Sequence, residues 1–424
     1  MSLQPPRGTR DFMPADMIRR QYIFQTVKNV FENFGFNPLE TPAFESWSIL
    51  SKKGGAGEEV KDEIYYFKDK SDRELGLRFD LTAPMSRVVA ANPQLPKPFK
   101  RYQIGRVWRY DRPQAGRFRE FWQADVDILG SSKMDADVEC LVVAVKSLEA
   151  LGFKNFIIRI NNRKILDSMI KKVGINNSFE VFRSLDKLEK IGEKGVTKEL
   201  ISKGVSKKEV NSLMDMIKMK GSASDMLKKG RKMLKSDGFE ELDQVVSLSK
   251  QYGIDKYIVV DFSLVRGLDY YTGPVFEVFV KEFENIGSIT AGGRYDNLVK
   301  NYGGRDTPAV GISLGIERIY EIMSSKKMFK LPSINTQLFV VAVNDAVRND
   351  VIKICQKLRD AGVNTELDLS GRNFKKQLEY ADALGISYVL IVGEKELKSK
   401  KFPLKDMKKR EQKELTLDQI VKKF

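Results

Sequence analysis

The sequence predicts an α+β protein: an antiparallel sheet with a helical insertion, followed by a small α/β domain. Three observations support this fold class. Residues 101–127 alternate polar and apolar side chains on both sides of a turn-rich segment, which is typical of paired, half-buried strands. Residues 165–255 are rich in Lys, Glu, Leu and Met and show one helical pattern after another. From residue 337 onward, strands alternate with helices.

Length and composition restrict the class of protein. A chain of 424 residues with 42% hydrophobic content favours two or three folded domains. No apolar run is long enough to span a membrane, and the N-terminus lacks the apolar core of a signal peptide. The two cysteines, Cys140 and Cys355, lie far apart and fit a reducing compartment without a disulfide framework or a zinc site. We therefore expect a cytoplasmic protein with no membrane association.

The first predicted elements are a helix and a proline-bearing strand. Apolar periodicity predicts an amphipathic helix over residues 14–35, with Gly35 at its end. Residues 36–44 predict a short strand. Because proline cannot donate to a sheet ladder, Pro38 and Pro42 place this strand at an edge or an interface.

Arginine is concentrated in the predicted hairpin. Only two acids, Asp111 and Glu120, accompany the arginines Arg101, Arg106, Arg109, Arg112, Arg117 and Arg119. We expect these arginines on one face of the strands and on the loop, where their planar donor groups suit phosphate and carboxylate. The alternative is a solvated edge strand protected by charge. Edge protection does not require arginine in a lysine-rich chain, so we favour a platform for a polyanionic ligand.

The remaining elements follow the change in composition. Ser206 and Glu209 predict a capping box at the start of one insertion helix. Strand patterns return after residue 255, and residues 324–335 form a predicted linker. The C-terminal domain is expected to contain a mainly parallel sheet, with strands at 337–343, 365–369 and 388–392 and helices at 346–361 and 374–384.

Charge and the lack of histidine limit the chemistry. The net charge of +16 favours a polyanionic partner, nucleic acid first, although a generally basic proteome would also explain it. The chain contains no histidine, which excludes Ser-His-Asp, Cys-His and His-metal sites. Catalysis must rely on carboxylates, arginine, lysine, tyrosine or a metal held by oxygen ligands. These limits suit a reaction whose nucleophile is already ionised.

Two groups of polar residues, each containing an aspartate, are candidates for binding a small ligand. Asp80 and Thr82 would face the same side of a strand and together hold an ammonium group, although Asp80 alone is more typical of a turn or a helix cap. Gln123 and Asp127 lie four residues apart on the second hairpin strand, and Asp125 shares their face.

Several motifs resemble those of class II aminoacyl-tRNA synthetases. The segment RPQAGRFREF within residues 101–127 is similar to the second motif of this class, in the form found in histidyl-tRNA synthetases. Residues 14–44 resemble the first class motif, and GISLGIER at 311–318 resembles the third. VRGLDYYTGP at 265–274 and AGGRYD at 291–296 resemble the two histidine motifs of that family. The motifs occur in the family's order along nearly the whole chain.

The resemblance implies a function and a domain plan. Histidyl-tRNA synthetases activate L-histidine with ATP and Mg²⁺ and transfer it to the 3′ end of tRNA(His) as homodimers. The resemblance assigns residues 1–330 to the catalytic domain and residues 335–424 to an anticodon-binding domain. It implies that the insertion at about 165–255 contacts the tRNA acceptor arm, while composition alone allows a purely structural appendage.

The resemblance also implies roles for individual residues. Arg109 and Arg266 are the expected catalytic residues, acting on the α-phosphate, and the metal ligands stay unassigned. Histidine would be bound by Asp80, Leu81, Thr82, Gln123, Asp127, Arg266, Tyr270, Tyr271 and Tyr295. ATP would be bound by Arg109, Arg117, Arg119, Phe121 and Arg318.

Three other functions compete with this interpretation. The synthetase-like regulatory subunit of ATP phosphoribosyltransferase binds histidine without activating it, but it generally lacks the C-terminal domain and the arginines that bind ATP. A class II enzyme for another amino acid is disfavoured by Asp127 and by residues 265–274. A general RNA-binding protein would explain the charge but not the order of the motifs.

Overall fold

The computed structural model describes residues 3–51, 63–111, 118–175, 178–265 and 270–424. The chain divides into two compact units. The first contains the described residues up to 11 and from 22 to 328, and the second contains residues 12–21 and 329–424. No helix within the described ranges is long and apolar enough to cross a bilayer.

The strands described in the first unit form two sheets. In chain order they are β1 (Asn37–Pro38), β2 (Phe44–Ser46), β3 (Tyr66–Lys68), β4 (Glu74–Leu77), β5 (Phe99–Trp108), β6 (Glu120–Leu129), β7 (Phe156–Asn162), β8 (Ile258–Val260), β9 (Pro274–Val280), β10 (Thr290–Arg294) and β11 (Ala309–Gly315). The large sheet has the order β1-β5-β6-β11-β10-β9-β7-β8, and the small one β2-β4-β3. Within the large sheet, the outermost pairs β1–β5 and β7–β8 are parallel and the inner pairs are antiparallel. The predicted antiparallel sheet is confirmed.

Helices and short 3₁₀ turns complete this part of the chain. The helices are α1 (Pro14–Asn33), α2 (Trp47–Leu50), α3 (Thr82–Ala91), α4 (Met134–Ala150), α5 (Arg163–Val173), α6 (Ser178–Leu185), α7 (Leu188–Ser202), α8 (Lys207–Ile217), α9 (Ala223–Met233), α10 (Gly238–Gln251), α11 (Leu298–Asn301) and α12 (Ile316–Ser325). The 3₁₀ turns span Asp255–Tyr257 and Lys281–Ile286. Helix α4 packs on β6, β10 and β11, and its apolar side chains are buried there.

The N-terminal helix matches its sequence pattern, but the strand predicted over residues 36–44 is broken: only Asn37–Pro38 form β1, and Phe44 begins β2 of the small sheet. Helix α1 ends two residues before Gly35, whose φ of +74° lies in the left-handed region that glycine tolerates. Strand β1 contains Pro38 and lies at the edge of the large sheet, as predicted. The helical insertion consists of α5 to α10, and α8 begins with the predicted capping box between Ser206 and Glu209.

The arginines of the hairpin do not share one face. Strand β5 pairs with β6 without a break from Phe99 to Trp108. Arg101 and Arg106, five residues apart on β5, therefore point to opposite faces. Arg101 is fully buried, whereas Arg106 is exposed and lies 3.6 Å from Glu120. The prediction of arginines on one face was wrong, because the odd spacing of Arg101 and Arg106 on one continuous strand places them on opposite faces.

The second unit is a small α/β fold built on one sheet. Its strands are β12 (Leu338–Ala342), β13 (Thr365–Leu367), β14 (Tyr388–Val392), β15 (Phe402–Asp406) and β16 (Glu411–Leu415). Its helices after residue 328 are α13 (Arg348–Asp360), α14 (Phe374–Ala383), α15 (Glu394–Ser399) and α16 (Leu417–Lys423), with a 3₁₀ turn at Asp345–Val347.

The sheet of this unit is mixed rather than mainly parallel. Its order is β13-β12-β14-β15-β16, in which β12 pairs in parallel with both neighbours. Strands β15 and β16 add two antiparallel pairings. The sequence pattern missed this hairpin because β16 is exposed and polar along its length and shows no apolar alternation.

Candidate active site

A cavity of about 430 Å³ opens on the large sheet of the first unit. Residues of β6, β10 and β11 form its floor, and the turn before α3, the start of α12 and the segment around Tyr270 line its sides. The corner between α6 and α7 of the helical insertion also lines it, through Leu185, Asp186, Leu188 and Glu189.

The floor is built from transverse rows of residues in register. Asp125 lies opposite Ser313, Ser313 opposite Ala291, and Ala291 opposite Glu277. In the next row, Asp127 faces Gly311, which faces Gly293. The two central strands thus carry only small side chains in these rows, so a ligand can approach the backbone closely.

Asp127 lies at the buried end of the cavity. Its carboxylate contacts Arg101 at 2.5 Å, and both side chains are almost completely buried. The hydroxyl of Tyr295 donates a hydrogen bond to the same carboxylate. Burial, followed by the negative charge of Asp127, raises the pKa of Tyr295 well above its ordinary value. The phenol therefore stays protonated and remains a donor to Asp127 at neutral pH.

Gln123, Asp125 and Ser313 form a polar cluster beside Asp127. The side-chain amide of Gln123 donates to the Ser313 hydroxyl at 2.7 Å. Burial raises the pKa of Asp125 to about 7. The charge of Arg101 and a hydrogen bond with Ser313 lower the pKa of Asp125, whereas the charge of Asp127 raises it. Asp125 therefore holds its proton more tightly than an exposed aspartate does.

The predicted strand at Asp80 is a turn followed by a helix. Thr82 is the first residue of α3, and Asp80 precedes it in a bend. One oxygen of Asp80 accepts the backbone N–H groups of Thr82 and Ala83 at 3.1 and 3.0 Å. Asp80 thus caps α3, which was the alternative open for this residue, and the prediction of a strand was wrong. Asp80 and Thr82 still both line the cavity.

Three tyrosines form an aromatic wall near Asp127. The ring of Tyr270 lies 4.6 Å from that of Tyr271 and 5.8 Å from that of Tyr295, edge-on in the second case. A planar aromatic group such as imidazole fits between such a wall and an acid, because it can stack and also donate a hydrogen bond.

Basic and aromatic side chains line the opposite end. The guanidinium of Arg109 lies 5.2 Å from the centroid of the Phe121 ring, and its Nε donates to the carbonyl of Phe79 at 3.0 Å. Arg318, at the start of α12, donates to the carbonyl of Ser288. Phe121 and Asp127 lie six residues apart on β6, about 20 Å along the strand. One continuous floor therefore connects an acidic end and a basic end.

The N-terminal segment reaches the basic end. Arg10 forms an ion pair with Glu317, and its guanidinium lies 3.7 Å from the centroid of the Phe118 ring. Glu317 also accepts the backbone N–H of Trp122 at 3.2 Å. The start of the chain thus neutralises a carboxylate that lines the cavity.

A buried ion pair supports the backbone on both sides of Tyr295. Arg294 contacts Asp137 of α4, and both side chains are at most 2% exposed. Arg294 also contacts Asp296 at 3.1 Å, and the backbone N–H of Asp296 donates to the Thr272 hydroxyl at 3.0 Å. Burial raises the pKa of Asp137 to about 6 against the opposing charge of Arg294. This network holds the Tyr295 and Tyr271 segments together.

The structure brings most of the predicted site residues to this cavity. Asp80, Thr82, Arg109, Phe121, Gln123, Asp127, Tyr270, Tyr271, Tyr295 and Arg318 all line it. Leu81 is fully buried beneath the turn, and Arg119 donates to the carbonyl of Asp111 at 3.2 Å; neither lines the cavity. Arg117 and Arg266 lie outside the described residues. The roles of all these residues stay predictions.

Sequence reasoning missed several residues of the site. The ion pair of Arg101 with Asp127 and the contacts of Ser313 depend on the register between β5, β6 and β11. Alternation within one strand shows which residues share a face but not which residues of the next strand lie opposite them. Arg159 and Glu277 line the cavity for the same reason, as neighbours on β7 and β9.

The chain is similar to known proteins over nearly its whole length. A family model described as histidyl-tRNA synthetase matches residues 8–319, and one described as an anticodon binding domain matches residues 337–424. The histidine–tRNA ligase of Aeropyrum pernix is 42% identical over 403 residues, covering 93% of this chain and 91% of the relative. That of Thermococcus kodakarensis is 36% identical over 429 residues, covering 100% and 98%.

A solved structure agrees over the same length. The crystal structure of histidyl-tRNA synthetase from Nostoc sp. PCC 7120 superposes with a TM-score of 0.85 at 31% identity, covering 100% of this chain and 99% of that one. Family model, relatives and solved structure thus identify the same family. The chain belongs to the histidyl-tRNA synthetase family.

Proposed function

We propose that this chain activates L-histidine with ATP and transfers the histidyl group to the 3′ end of tRNA(His). The observation that carries the proposal is the continuous cavity floor between the buried pair Asp127–Arg101 and the end that bears Arg109 and Arg318. An amino acid and a nucleotide can lie end to end on this floor, with the reacting groups between them.

The acidic end selects histidine in this proposal. Arg101 balances the negative charge of Asp127, and Asp127 accepts an N–H of the imidazole ring while the tyrosine wall covers its faces. A buried acceptor rejects amino acids of similar size that cannot donate to it, because the acceptor would then stay unsatisfied. Asp80, Thr82 and Gln123 bind the α-ammonium group.

In the first step, the histidine carboxylate attacks the α-phosphorus of ATP, and pyrophosphate leaves. The nucleophile is already ionised, so no general base is required. Arg109 stabilises the negative charge that develops on the α-phosphate, and its position beside Phe121 supports this role. We assign Arg266 the same role, and Arg117, Arg119 and Arg318 the outer phosphates, from their positions in the family motifs. Phe121 and Arg318 hold the adenine.

We propose that Mg²⁺ enters with ATP and neutralises phosphate charge when it is bound. Among the described residues, no group of three or more acidic or cysteine side chains is arranged to hold a metal ion. Mg²⁺ is usually held by one or two carboxylates together with substrate phosphates. Glu277 and Glu317 line this cavity, and Glu277 is the candidate because Glu317 is already paired with Arg10.

In the second step, a hydroxyl of the terminal tRNA ribose attacks the activated carbonyl, and AMP leaves. We propose residues 1–330 as the catalytic domain and residues 335–424 as the anticodon-binding domain, supported by the two family models. The net charge of +16 favours binding of tRNA. We also propose a homodimer, from the first class motif, and a cytoplasmic location, which the two free, buried cysteines support.

The decisive experiment is ATP–pyrophosphate exchange with each of the twenty amino acids in turn. Exchange with histidine alone supports both the reaction and the substrate. Exchange with another amino acid would keep the reaction and overturn the assignment of the acidic end. Binding of histidine by calorimetry without exchange would instead indicate a regulatory protein that only senses histidine.

A pair of arginine variants tests the basic end. Arg109→Ala removes a cavity-lining guanidinium, and we expect exchange to slow by about a hundredfold, the usual effect of losing one transition-state donor. Arg106→Ala is the matched control, because Arg106 points away from Arg101 and does not line the cavity. Equal rates for the two variants would contradict the role of Arg109.

A further inference from the structure

Asp125 is a buried acid at the centre of the cavity floor for which the activation mechanism above has no role. It lies between Gln123 and Asp127 on the same face of β6 and is 3% exposed. The register places it opposite Gln103 on β5 and Ser313 on β11. Its side chain lines the cavity.

The hydrogen bonding of Asp125 is incomplete. Its Oδ1 atom is buried and has no hydrogen-bond partner among the described residues, and the same is true of the side-chain oxygen of Gln123. An unsatisfied buried acceptor costs free energy, and such atoms at a cavity indicate a donor that arrives with the ligand. Two adjacent acceptors of this kind suit a group with several N–H donors.

The turn at Asp80 strengthens this argument. One oxygen of Asp80 already accepts two backbone N–H groups as the cap of α3. An ammonium group carries a full charge and three donors, and its binding in a buried site requires more than one acceptor. The three aspartates Asp80, Asp125 and Asp127 all line the cavity, and Asp127 is already engaged by Arg101 and Tyr295.

We propose that Asp125 binds the α-ammonium group of the amino acid substrate, alongside Asp80, Thr82 and Gln123. This inference rests on the proposed function, and it assigns the unpartnered floor carboxylate to the charged end of the substrate. Asp125 is then a further specificity residue, because a ligand without an ammonium group leaves it buried and unsatisfied.

The charges around Asp125 predict how binding depends on pH. The carboxylate faces Arg101 on β5, Asp127 on its own strand and Asp80 across the cavity, while Ser313 and Gln103 are neutral. Burial raises the pKa of Asp125 to about 7 in the free protein. Because a bound ammonium favours the ionised form, binding should tighten as pH rises from 6 to 8.

The test compares two ligands by calorimetry with the full-length protein. L-histidinol carries the imidazole and the ammonium group, and 3-(imidazol-4-yl)propionate lacks the ammonium group. We expect Asp125→Asn to weaken histidinol binding by about tenfold to a hundredfold, the effect of losing a charge-assisted hydrogen bond. The affinity for imidazolepropionate should be unchanged or higher, since a negative charge has been removed beside its carboxylate.

The pH profile adds a readout that a purely structural role would not change. The imidazole of histidinol titrates in the same way with both proteins. The difference between the pH profiles of histidinol affinity for the wild type and for Asp125→Asn therefore reports the titration of Asp125 alone. We expect the variant to lose the component centred near pH 7. The melting temperature and ATP binding of the variant establish that it is folded.

Two outcomes would overturn the inference. Either an unchanged histidinol affinity in folded Asp125→Asn, or an equal loss for both ligands, would show that Asp125 does not bind the ammonium group. Neither outcome bears on catalysis, because histidine-dependent exchange by the wild-type protein is measured separately. An absence of that exchange would refute the proposed function instead.

Discussion

Substitution of Gly311 by alanine tests the geometry of the acidic end most directly. A Cβ atom at Gly311 would lie 2.0 Å from Oδ1 of Asp127 and 2.6 Å from its Cγ. Ordinary contact begins at 3.4 Å, so the carboxylate oxygen must move by about 1.4 Å. The φ angle of Gly311 is not in the left-handed region, so alanine adds no strain of that kind. The Cβ would also lie 2.9 Å from the backbone carbonyl oxygen of Val126, so the effect is a displacement of Asp127 together with a small shift of β6.

We expect Gly311→Ala to raise the KM for histidine in ATP–pyrophosphate exchange by about a hundredfold, because a misplacement of about 1 Å can cost that factor. Gly315→Ala, on the same strand, is the control: its Cβ would lie 3.3 Å from the nearest atom, the carbonyl oxygen of Ile289. Thermal melting checks both folds. A histidine KM within twofold of wild type in folded Gly311→Ala would refute the role of Asp127 in binding histidine.

Three further substitutions probe stability. Arg294→Met should lower the free energy of unfolding by about 3 kcal/mol or more, since it leaves the buried Asp137 without its cation. Denaturant unfolding measures this change. A loss below about 1 kcal/mol would contradict the importance of the ion pair. Ser206→Ala should lower the stability of the insertion by about 1 kcal/mol and leave histidine-dependent exchange unchanged; a slower exchange would show that the cap matters beyond its helix. Asp125 has a pKa of about 7 when folded, above its unfolded value of about 3.9, so the unfolded chain binds fewer protons between these values. Between pH 4 and pH 8, the free energy of unfolding of the wild type should therefore fall by up to about 4 kcal/mol more than that of Asp125→Asn. Unfolding free energies that change in parallel with pH in the two proteins would rule this out.

Local patterns predicted the elements of this fold well. The alternation in residues 101–127 predicted the β5–β6 hairpin, and the spacing of Ser206 and Glu209 predicted the cap of α8. Pro38 predicted an edge strand. In each case the physical cause acts within a few residues of the chain, so the sequence itself contains the whole interaction.

Features that depend on the pairing of distant segments were not predictable in this way. The buried pair of Arg101 and Asp127 needs the register of two strands, and the row from Asp125 to Glu277 needs four. Asp80 was wrongly assigned to a strand. The local sequence does not distinguish an aspartate that caps a helix by accepting two backbone N–H groups from an aspartate that lies on a strand. Family resemblance supplied site residues that periodicity could not, including Tyr295.

The contact between Arg10 and Glu317 has a consequence for the synthesis of this protein. The two residues are separated by 307 positions, and the backbone carbonyl of Gly8 also accepts the N–H of Arg119. Residues 8–10 leave the ribosome long before residue 317, and therefore cannot complete these contacts until most of the intervening chain has followed. Long-range contacts of this kind slow folding, because a large loop must close before they form. The basic end of the cavity should consequently be among the last parts of the first unit to assemble.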